Sequence, residues 1–281
     1  MTTLTVPTAP SPTARRTKGT AHMLLTQVRS EVLRYRRVPE YFIGVVILPI
    51  VLFAMFGLPN TGEVLPDGAT VVAMMFVSFS LYGVVSQALF SFGAELAQER
   101  QKGWMRRLRA TPMPMSVYFT GKLALNLVFT AVIVTGMALL AARLGQAHFE
   151  PARLAATFGV LLAGTVAFSP MGAAIAYWAR PKAVSTIVNL VFLPLSFLSG
   201  FFFSLQNLPQ VLQDIAPWLP TFHLGQLAWW AMAPSEVDRE RFGITEAADL
   251  PLNIAVVAAW FVLCSLLTVW GYRRELQRER G

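Results

Sequence analysis

The chain has few of the side chains that catalysis and metal binding require. Only 14% of its 281 residues are charged, and it contains three His and one Cys. A single cysteine excludes an intrachain disulfide and a cysteine metal cluster. His22, His148 and His223 are far apart in the sequence, and neither an HExxH sequence nor a pair of clustered carboxylates is present. These absences argue against a membrane enzyme and predict no metal site.

The chain also lacks a phosphate-binding loop. The sequence 57–63 has no Lys after its second Gly, and Gly121-Lys122 has no preceding Gly at the required spacing. We therefore expect no cofactor on this chain and no ATP hydrolysis by it alone. All fifteen acidic residues fall in predicted tails, loops or span ends, and Lys122 lies about one turn inside a span. A carrier driven by a proton or sodium gradient is therefore a poor fit.

Long apolar runs make up most of what is present. Hydrophobic residues are 55% of the chain, and the mean hydropathy is +0.53. A hydrocarbon core of about 30 Å is crossed by about 20 apolar residues in a helix. The sequence therefore predicts an all-α integral membrane protein with six transmembrane helices, at 41–58, 69–92, 117–142, 154–178, 184–203 and 252–272.

Basic residues are distributed unequally between the two sides of these spans. Of the 23 Lys and Arg, 19 fall on the side of both termini when Lys122 is included, and four fall on the other side. The positive-inside rule then places both termini in the cytoplasm. The membrane is expected to be the plasma membrane. The net charge of +8 does not indicate nucleic-acid binding, because its basic residues lie in the short segments between spans.

Two segments precede the spans. Residues 1–20 are rich in Thr, Pro, Ala and Ser and lack an apolar core, which indicates a disordered cytoplasmic tail. Residues 21–40 place Leu25, Val28, Val32 and Tyr35 on one helical face, and Pro39 ends the pattern. This pattern predicts an amphipathic helix on the lipids of the inner leaflet; a soluble helix packed on a partner is the alternative. The six-span domain then occupies 41–281.

The polar residues that enter the spans are mild ones, and several recur on one helical face. Two interpretations remain open: they hold helices together, or they line a path or a subunit interface for an amphipathic substrate. The residues concerned are Ser80, Tyr82, Gln87, Asn126, Asn189, Ser196 and Phe203.

The long cytoplasmic connection, within 93–115, begins with acidic residues and continues through Gly103 to a basic cluster. Its first part predicts a short amphipathic helix with Leu96, Glu99, Gly103 and Arg106 on roughly one side. Such a helix could transmit a push from a cytosolic partner. The alternative is a charge cluster that only fixes orientation.

This connection resembles the coupling-helix region of type-2 ABC exporter permeases. The resemblance lies in Glu99-Arg100, Gly103, Leu108 and Thr111-Pro112, followed by Gly121-Lys122. Residues 193–209, LPLSFLSGFFFSLQNLP, are similar to the fifth span of the family and the outer segment that follows it. Trp104, where Thr is more usual, and the sequence Phe222-His223-Leu224 depart from the family pattern.

The resemblance implies the permease subunit of an ATP-driven exporter, paired with a second permease subunit, with a homodimer expected. ATP and Mg would be bound by separate cytosolic ABC ATPase subunits. The outer segment 205–233 would be a re-entrant hairpin. A small amphipathic drug or antibiotic is the expected cargo, as in daunorubicin-resistance permeases, and lipid-linked or polysaccharide cargo is the alternative. The residues expected to couple the ATPase are Glu95, Glu99, Arg100, Gly103, Arg106, Leu108, Thr111 and Pro112.

A competing class is a membrane structural or channel protein without an ATPase, in which the cytoplasmic motif would serve topology alone.

Overall fold

A computed structural model describes residues 43–66, 68–111, 113–203, 205, 208–233, 235 and 249–280, together with Thr26. The predicted tail at 1–20, nearly all of the predicted amphipathic helix at 21–40, and Pro112 lie outside the described residues. Within the described part of the chain the structure is helical, and its one β-type pairing is a single bridge between Val64 and Thr70.

Ten α-helices follow one another along the described chain. They are α1 (Leu48–Phe56), α2 (Val71–Leu89), α3 (Leu96–Gln101), α4 (Trp104–Arg109), α5 (Met115–Arg143), α6 (Pro151–Trp178), α7 (Pro181–Leu198), α8 (Gln210–Ile215), α9 (Pro220–Met232) and α10 (Leu250–Arg280). A π-helical turn, Ile43–Ile47, precedes α1, and another, Phe90–Glu95, joins α2 to α3 without a break.

Six helical segments are long and apolar enough to cross a membrane, as predicted. They are Ile43–Asn60, Val71–Gln101, Met115–Arg143, Pro151–Trp178, Pro181–Leu198 and Leu250–Arg278. The second differs most from its predicted bounds, because its helix continues past Phe92 to Gln101. The first residues of the predicted cytoplasmic connection are therefore a helical continuation of the second span.

The sequence marks the beginnings of these helices. The Thr70 side chain caps α2 by accepting a hydrogen bond from the Ala73 amide at 3.3 Å. Proline occupies the first position of three helices: Pro151 in α6, Pro181 in α7 and Pro220 in α9. Proline fits there because its missing N–H has no acceptor within the first helical turn.

The second span is the centre of the bundle. It packs against α1, α5, α6, α7 and α9. In its most apolar stretch 89% of the residues are buried, compared with 11% for α10. A helix that is apolar on nearly every side suits such a central position. The last span, α10, packs mainly on α6 and α9 and leaves the rest of its surface for lipid or a partner.

The central span meets α6 at a close backbone crossing. A Cβ placed on Gly172 would lie 2.9 Å from the Ala88 carbonyl oxygen and 3.0 Å from the Gly93 amide nitrogen. Glycine at this point lets the two backbones approach, which is how membrane helices gain packing contacts. The π-helical turn Phe90–Glu95 lies at the same crossing.

Helices α8 and α9 lie between the fifth and sixth spans, inside the predicted outer segment. Most of α9 is buried against α2, α6 and α10. The Trp229 indole donates to the Ser78 hydroxyl at 3.1 Å, and His223 Nδ1 lies 2.6 Å from the Asn253 side-chain oxygen. This short helix is therefore integrated with the spans, while its predicted re-entrant placement in a bilayer stays a prediction.

Candidate functional site at the basic end of the bundle

Ten described Lys and Arg residues gather at one end of the bundle, here called the basic end. It comprises α3, α4, the first turns of α5 and α7, and the last turns of α6 and α10. Its basic residues, apart from Lys122, are Arg100, Lys102, Arg106, Arg107, Arg109, Arg180, Lys182, Arg273, Arg274 and Arg278. In the described part of the opposite end, Arg143 and Arg153 are the corresponding residues.

A buried ionic cluster joins the second and third spans at the basic end. The Lys122 ammonium lies 3.1 Å from a Glu95 carboxylate oxygen and 3.5 Å from both oxygens of Glu99. The Tyr118 hydroxyl donates to Glu99, and the Ser91 hydroxyl contacts Glu95 at 3.5 Å. All three charged side chains are buried. Charges removed from water persist only with partners of this kind.

The local helix geometry explains why these groups meet. Lys122 lies two turns into α5, on the same face as Tyr118 four residues earlier. Glu95 and Glu99 are likewise four residues apart, on the π-helical turn and α3. Tyr118 and Lys122 therefore face Glu95 and Glu99 where α5 contacts the end of the second span.

A second ion pair ties α3 to the last span. Arg100 Nε donates to both carboxylate oxygens of Glu275 in α10, at 3.1 and 3.3 Å. Another Arg100 nitrogen donates to the Ala176 carbonyl at the end of α6, and the guanidinium lies over the Tyr177 ring at 4.5 Å from its centre. The short helix α3 is therefore linked by charge to α5, α6 and α10.

Helix α4 has a buried apolar side and an exposed side that carries arginines and a tryptophan. Met105 and Leu108 are buried, whereas Arg106 and Arg107 are exposed and Trp104 is 40% exposed. An exposed tryptophan beside arginines is typical of a protein-binding surface. We call Trp104, Arg106 and Arg107 the α4 face.

The break between α3 and α4 corrects one expectation. Leu96, Glu99, Gly103 and Arg106 do not share one side of a single helix, because the chain turns at Gly103. Its φ of +69° is left-handed, and it ends α3 through a hydrogen bond from its amide to the Arg100 carbonyl at 3.0 Å. Leu96 and Glu99 point inward while Arg106 points to solvent.

Gly103→Ala is expected to lower the free energy of unfolding by about 1–2 kcal/mol, the cost of a left-handed residue with a Cβ. No atom lies within 4 Å of the position that a Cβ would occupy, so the cost comes from the backbone alone. Gly103→Asn is the matched variant and should lose less, since Asn adopts this conformation more readily. Thermal unfolding of the detergent-purified protein measures both, and equal losses for Ala and Asn would contradict the explanation.

The other predicted coupling residues are also placed. Glu95, Glu99 and Arg100 belong to the ionic contacts above. Leu108 lies on the buried side of α4. Thr111 is exposed, and its hydroxyl donates to the Leu108 carbonyl at 2.6 Å. Sequence reasoning missed Tyr118, Ser91, Tyr177 and Glu275. It also did not pair Lys122 with Glu95 and Glu99, although a signal was present, because a lysine inside a span requires a nearby carboxylate.

The polar residues predicted in the spans separate into two groups. Gln87 Nε2 donates to the Asn126 backbone carbonyl at 3.0 Å, and its side-chain oxygen accepts from Thr130 at 3.2 Å. The Thr130 hydroxyl also lies 2.7 Å from that of Thr165. This buried network joins α2, α5 and α6, so Gln87 and Asn126 hold helices together within one chain.

The remaining members differ in exposure. Ser80 contacts the Met137 sulfur at 3.5 Å, Tyr82 packs against the Phe192 ring, and Ser196 donates to its own helix; all three are buried. Asn189 and Phe203 are exposed on the side of the fifth span and beyond its end. These two face away from the packed interior.

Comparison with known proteins shows the family. Residues 23–232 match the ABC-2 type transporter family. The chain belongs to that family. It is also 24% identical over 255 residues to a Bacillus subtilis (strain 168) protein named "Putative transport permease YvfS", an alignment that covers 90% of this chain and 98% of the relative.

Family membership places the described features in a membrane transporter. This ABC-2 chain is a multi-pass membrane protein and a permease subunit, and its family implies an ABC ATPase as partner. The matched segment spans the first five membrane helices, the α3–α4 connection and all of α9.

Proposed function

We propose that the chain is the membrane half of an ATP-driven exporter, in which a cytosolic ATPase acts on the α3–α4 connection. The observation that carries this proposal is the contrast within that connection. The α4 face points to solvent, whereas Glu95, Glu99 and Arg100 are bonded to three different spans. Force applied to α4 would therefore reach α5 through the buried ionic cluster, α10 through the Arg100–Glu275 ion pair, and α6 through the contacts of Arg100 with Ala176 and Tyr177.

The proposed orientation follows from the charge of the two ends. The chain lies in the plasma membrane, and its basic end faces the cytoplasm together with both termini. The α4 face is then presented to a cytosolic partner. That partner binds ATP and Mg and hydrolyses the ATP, and this chain stays non-catalytic.

The proposed path lies at the border between two copies of the chain. Within one copy, the network around Gln87 and Asn126 joins α2, α5 and α6 by buried hydrogen bonds, which favours a path outside that network. The outward surfaces of α1 and α7 carry large apolar side chains, among them Met55 and Leu190, together with the exposed Asn189. Such a mixed, mostly apolar surface suits a homodimer interface and an amphipathic small molecule such as a drug or antibiotic.

Arg106→Glu is expected to reduce the amount of ATPase that copurifies with the tagged permease by at least about tenfold, since a charged anchor in an interface is typically worth 2 kcal/mol or more. The Arg106 side chain is exposed, so the fold should be unaffected. The measurement is a pull-down after expression with the neighbouring genes.

Arg143→Glu is the matched control, because Arg143 is exposed at the opposite end of the bundle and the charge change is the same. It should copurify as much ATPase as the unaltered chain. A permease that brings down no ATPase in any form would instead favour a membrane protein without one. Equal copurification with Arg106→Glu would remove the α4 face from the interface.

The cargo is tested in proteoliposomes that contain the permease and its ATPase. Stimulation of ATP hydrolysis by amphipathic drugs supports small-molecule export. If only lipid-linked or polysaccharide substrates stimulate ATP hydrolysis, the cargo is of that class, and the rest of the proposal is unchanged.

A further inference from the structure

A second feature of the basic end is a pocket that neither the ionic cluster nor the α4 face uses. It has a volume of about 380 Å³ and lies between the end of α6, the start of α7 and the last turns of α10. This volume falls in the usual range for small-ligand sites, roughly 300–1,000 Å³. Its walls include Arg100, Arg180, Arg274, Glu275 and Arg278.

The pocket has a surplus of positive charge. Four arginines face one carboxylate, and that carboxylate is already bonded to Arg100. Among the described side chains, Arg180, Arg274 and Arg278 have no acidic partner within ion-pair distance. Three guanidinium groups around one hollow are suited to an anion, and to phosphate above all, because guanidinium binds phosphate through paired hydrogen bonds.

Tryptophans place this pocket at the level of the membrane surface. Trp178 and Trp270 meet edge to face with ring centres 4.7 Å apart, and the Trp178 indole donates to the Leu267 carbonyl at 2.9 Å. Arg274 lies over the Trp178 ring at 5.5 Å. Paired tryptophans at the ends of spans are typical of the boundary where lipid headgroups lie.

An apolar surface leads away from the pocket along α10. Leu263, Leu266 and Trp270 follow one another at intervals of three and four residues, and all are well exposed. A second hollow, lined by Trp178, Trp270, Arg273, Arg274 and Gln277, connects this surface with the arginines. A phospholipid whose acyl chain lies along α10 would thus have its phosphate at Arg274.

We propose that this pocket is a binding site for the phosphate headgroup of an anionic phospholipid, with Arg180, Arg274 and Arg278 as its ligands. Basic pockets between spans on the cytoplasmic side recognise such lipids. The apolar surface on α10 is what selects a lipid rather than a soluble phosphate. The site concerns the surrounding membrane and not the cargo, so it stands whether or not the exporter proposal holds.

The test reconstitutes the full chain in bilayers that mix phosphatidylglycerol with phosphatidylcholine of the same acyl length. In each pair of samples one of the two lipids carries brominated chains, which quench nearby tryptophans. Quenching by each lipid gives their relative binding constant at the protein. The unaltered chain should prefer phosphatidylglycerol by on the order of a hundredfold, since each of the three arginines near an anionic lipid is worth about 1 kcal/mol.

The triple variant Arg180→Gln, Arg274→Gln, Arg278→Gln should lower that preference to near one. Arg180→Gln alone, an exposed change that leaves α10 intact, should lower it roughly fivefold. The matched α4 control, Lys102→Gln, Arg106→Gln, Arg107→Gln, removes the same charge from α4 and from the residue that follows α3, and it should keep the full preference.

Three results would overturn the proposal. They are equal quenching by both lipids in the unaltered chain, a preference that survives the triple variant, and an equal loss in the α4 control. Inorganic phosphate is added at constant ionic strength as a further arm. Displacement of the lipid by it would mean a soluble-anion site instead.

Discussion

Lys122→Met is expected to lower the free energy of unfolding by about 3–5 kcal/mol, the usual effect of leaving buried charges without their partner. The substitution preserves most of the side-chain volume but removes the cation that faces Glu95 and Glu99. Both carboxylates would remain buried. Denaturant titration of the detergent-purified chain, followed by tryptophan fluorescence, measures the loss.

Two further variants separate charge from packing. Lys182→Met removes an exposed lysine at the start of α7 and should change stability by less than about 0.5 kcal/mol. Adding Glu95→Gln and Glu99→Gln to Lys122→Met leaves a neutral cluster and should recover much of the loss. If Lys122→Met is as stable as the unaltered chain, the ionic cluster does not hold the second and third spans together.

Gly172→Ala should destabilise the bundle by about 1–3 kcal/mol through overpacking. The new Cβ would meet three backbone atoms of the second span within 3.1 Å, and backbone cannot move aside as a side chain can. The crossing of α6 with the second span would have to open. The measurement is the same denaturant titration, with the temperature of unfolding as a second readout.

The same helix supplies a matched control for this prediction. A Cβ on Gly159 would have no atom within 4 Å, so Gly159→Ala should be neutral or stabilising by up to about 1 kcal/mol. Gly93→Ala should cost a similar amount, because its Cβ would lie 2.7 Å from Cγ2 of the buried and β-branched Val188. Similar losses for Gly159→Ala and Gly172→Ala would show that helix propensity, and not the crossing, sets the effect.

The sequence predicted the spans well because hydropathy depends on the residues of each span alone. Six candidate spans lie close to their predicted places, and the family resemblance is confirmed by the match over 23–232. The basic end was also evident from the charges. These properties are local, and they do not depend on how helices pack.

The contacts of the site could not be predicted in the same way. Extending an α-helical periodicity through the connection put Arg106 on the side of Leu96 and Glu99, and the left-handed turn at Gly103 invalidates that projection. Glu95 was assigned to a loop because the apolar run ends at Phe92, yet the helix continues to Gln101. Its partner Lys122 is 27 residues away in the sequence, and only the packing of α5 on the second span brings the two together.

The π-helical turn Phe90–Glu95 makes the exact number of residues in the second span matter. Such turns hold one residue more than the α-helix around them. If the same residues formed regular α-helix instead, everything beyond the turn would rotate by about 100° about the helix axis. Glu95 and Glu99 would then rotate away from Lys122, and Arg100 away from Glu275. The π-helical turn therefore sets which way the α4 face points, because it takes up one residue that a regular α-helix could hold only by rotating all that follows.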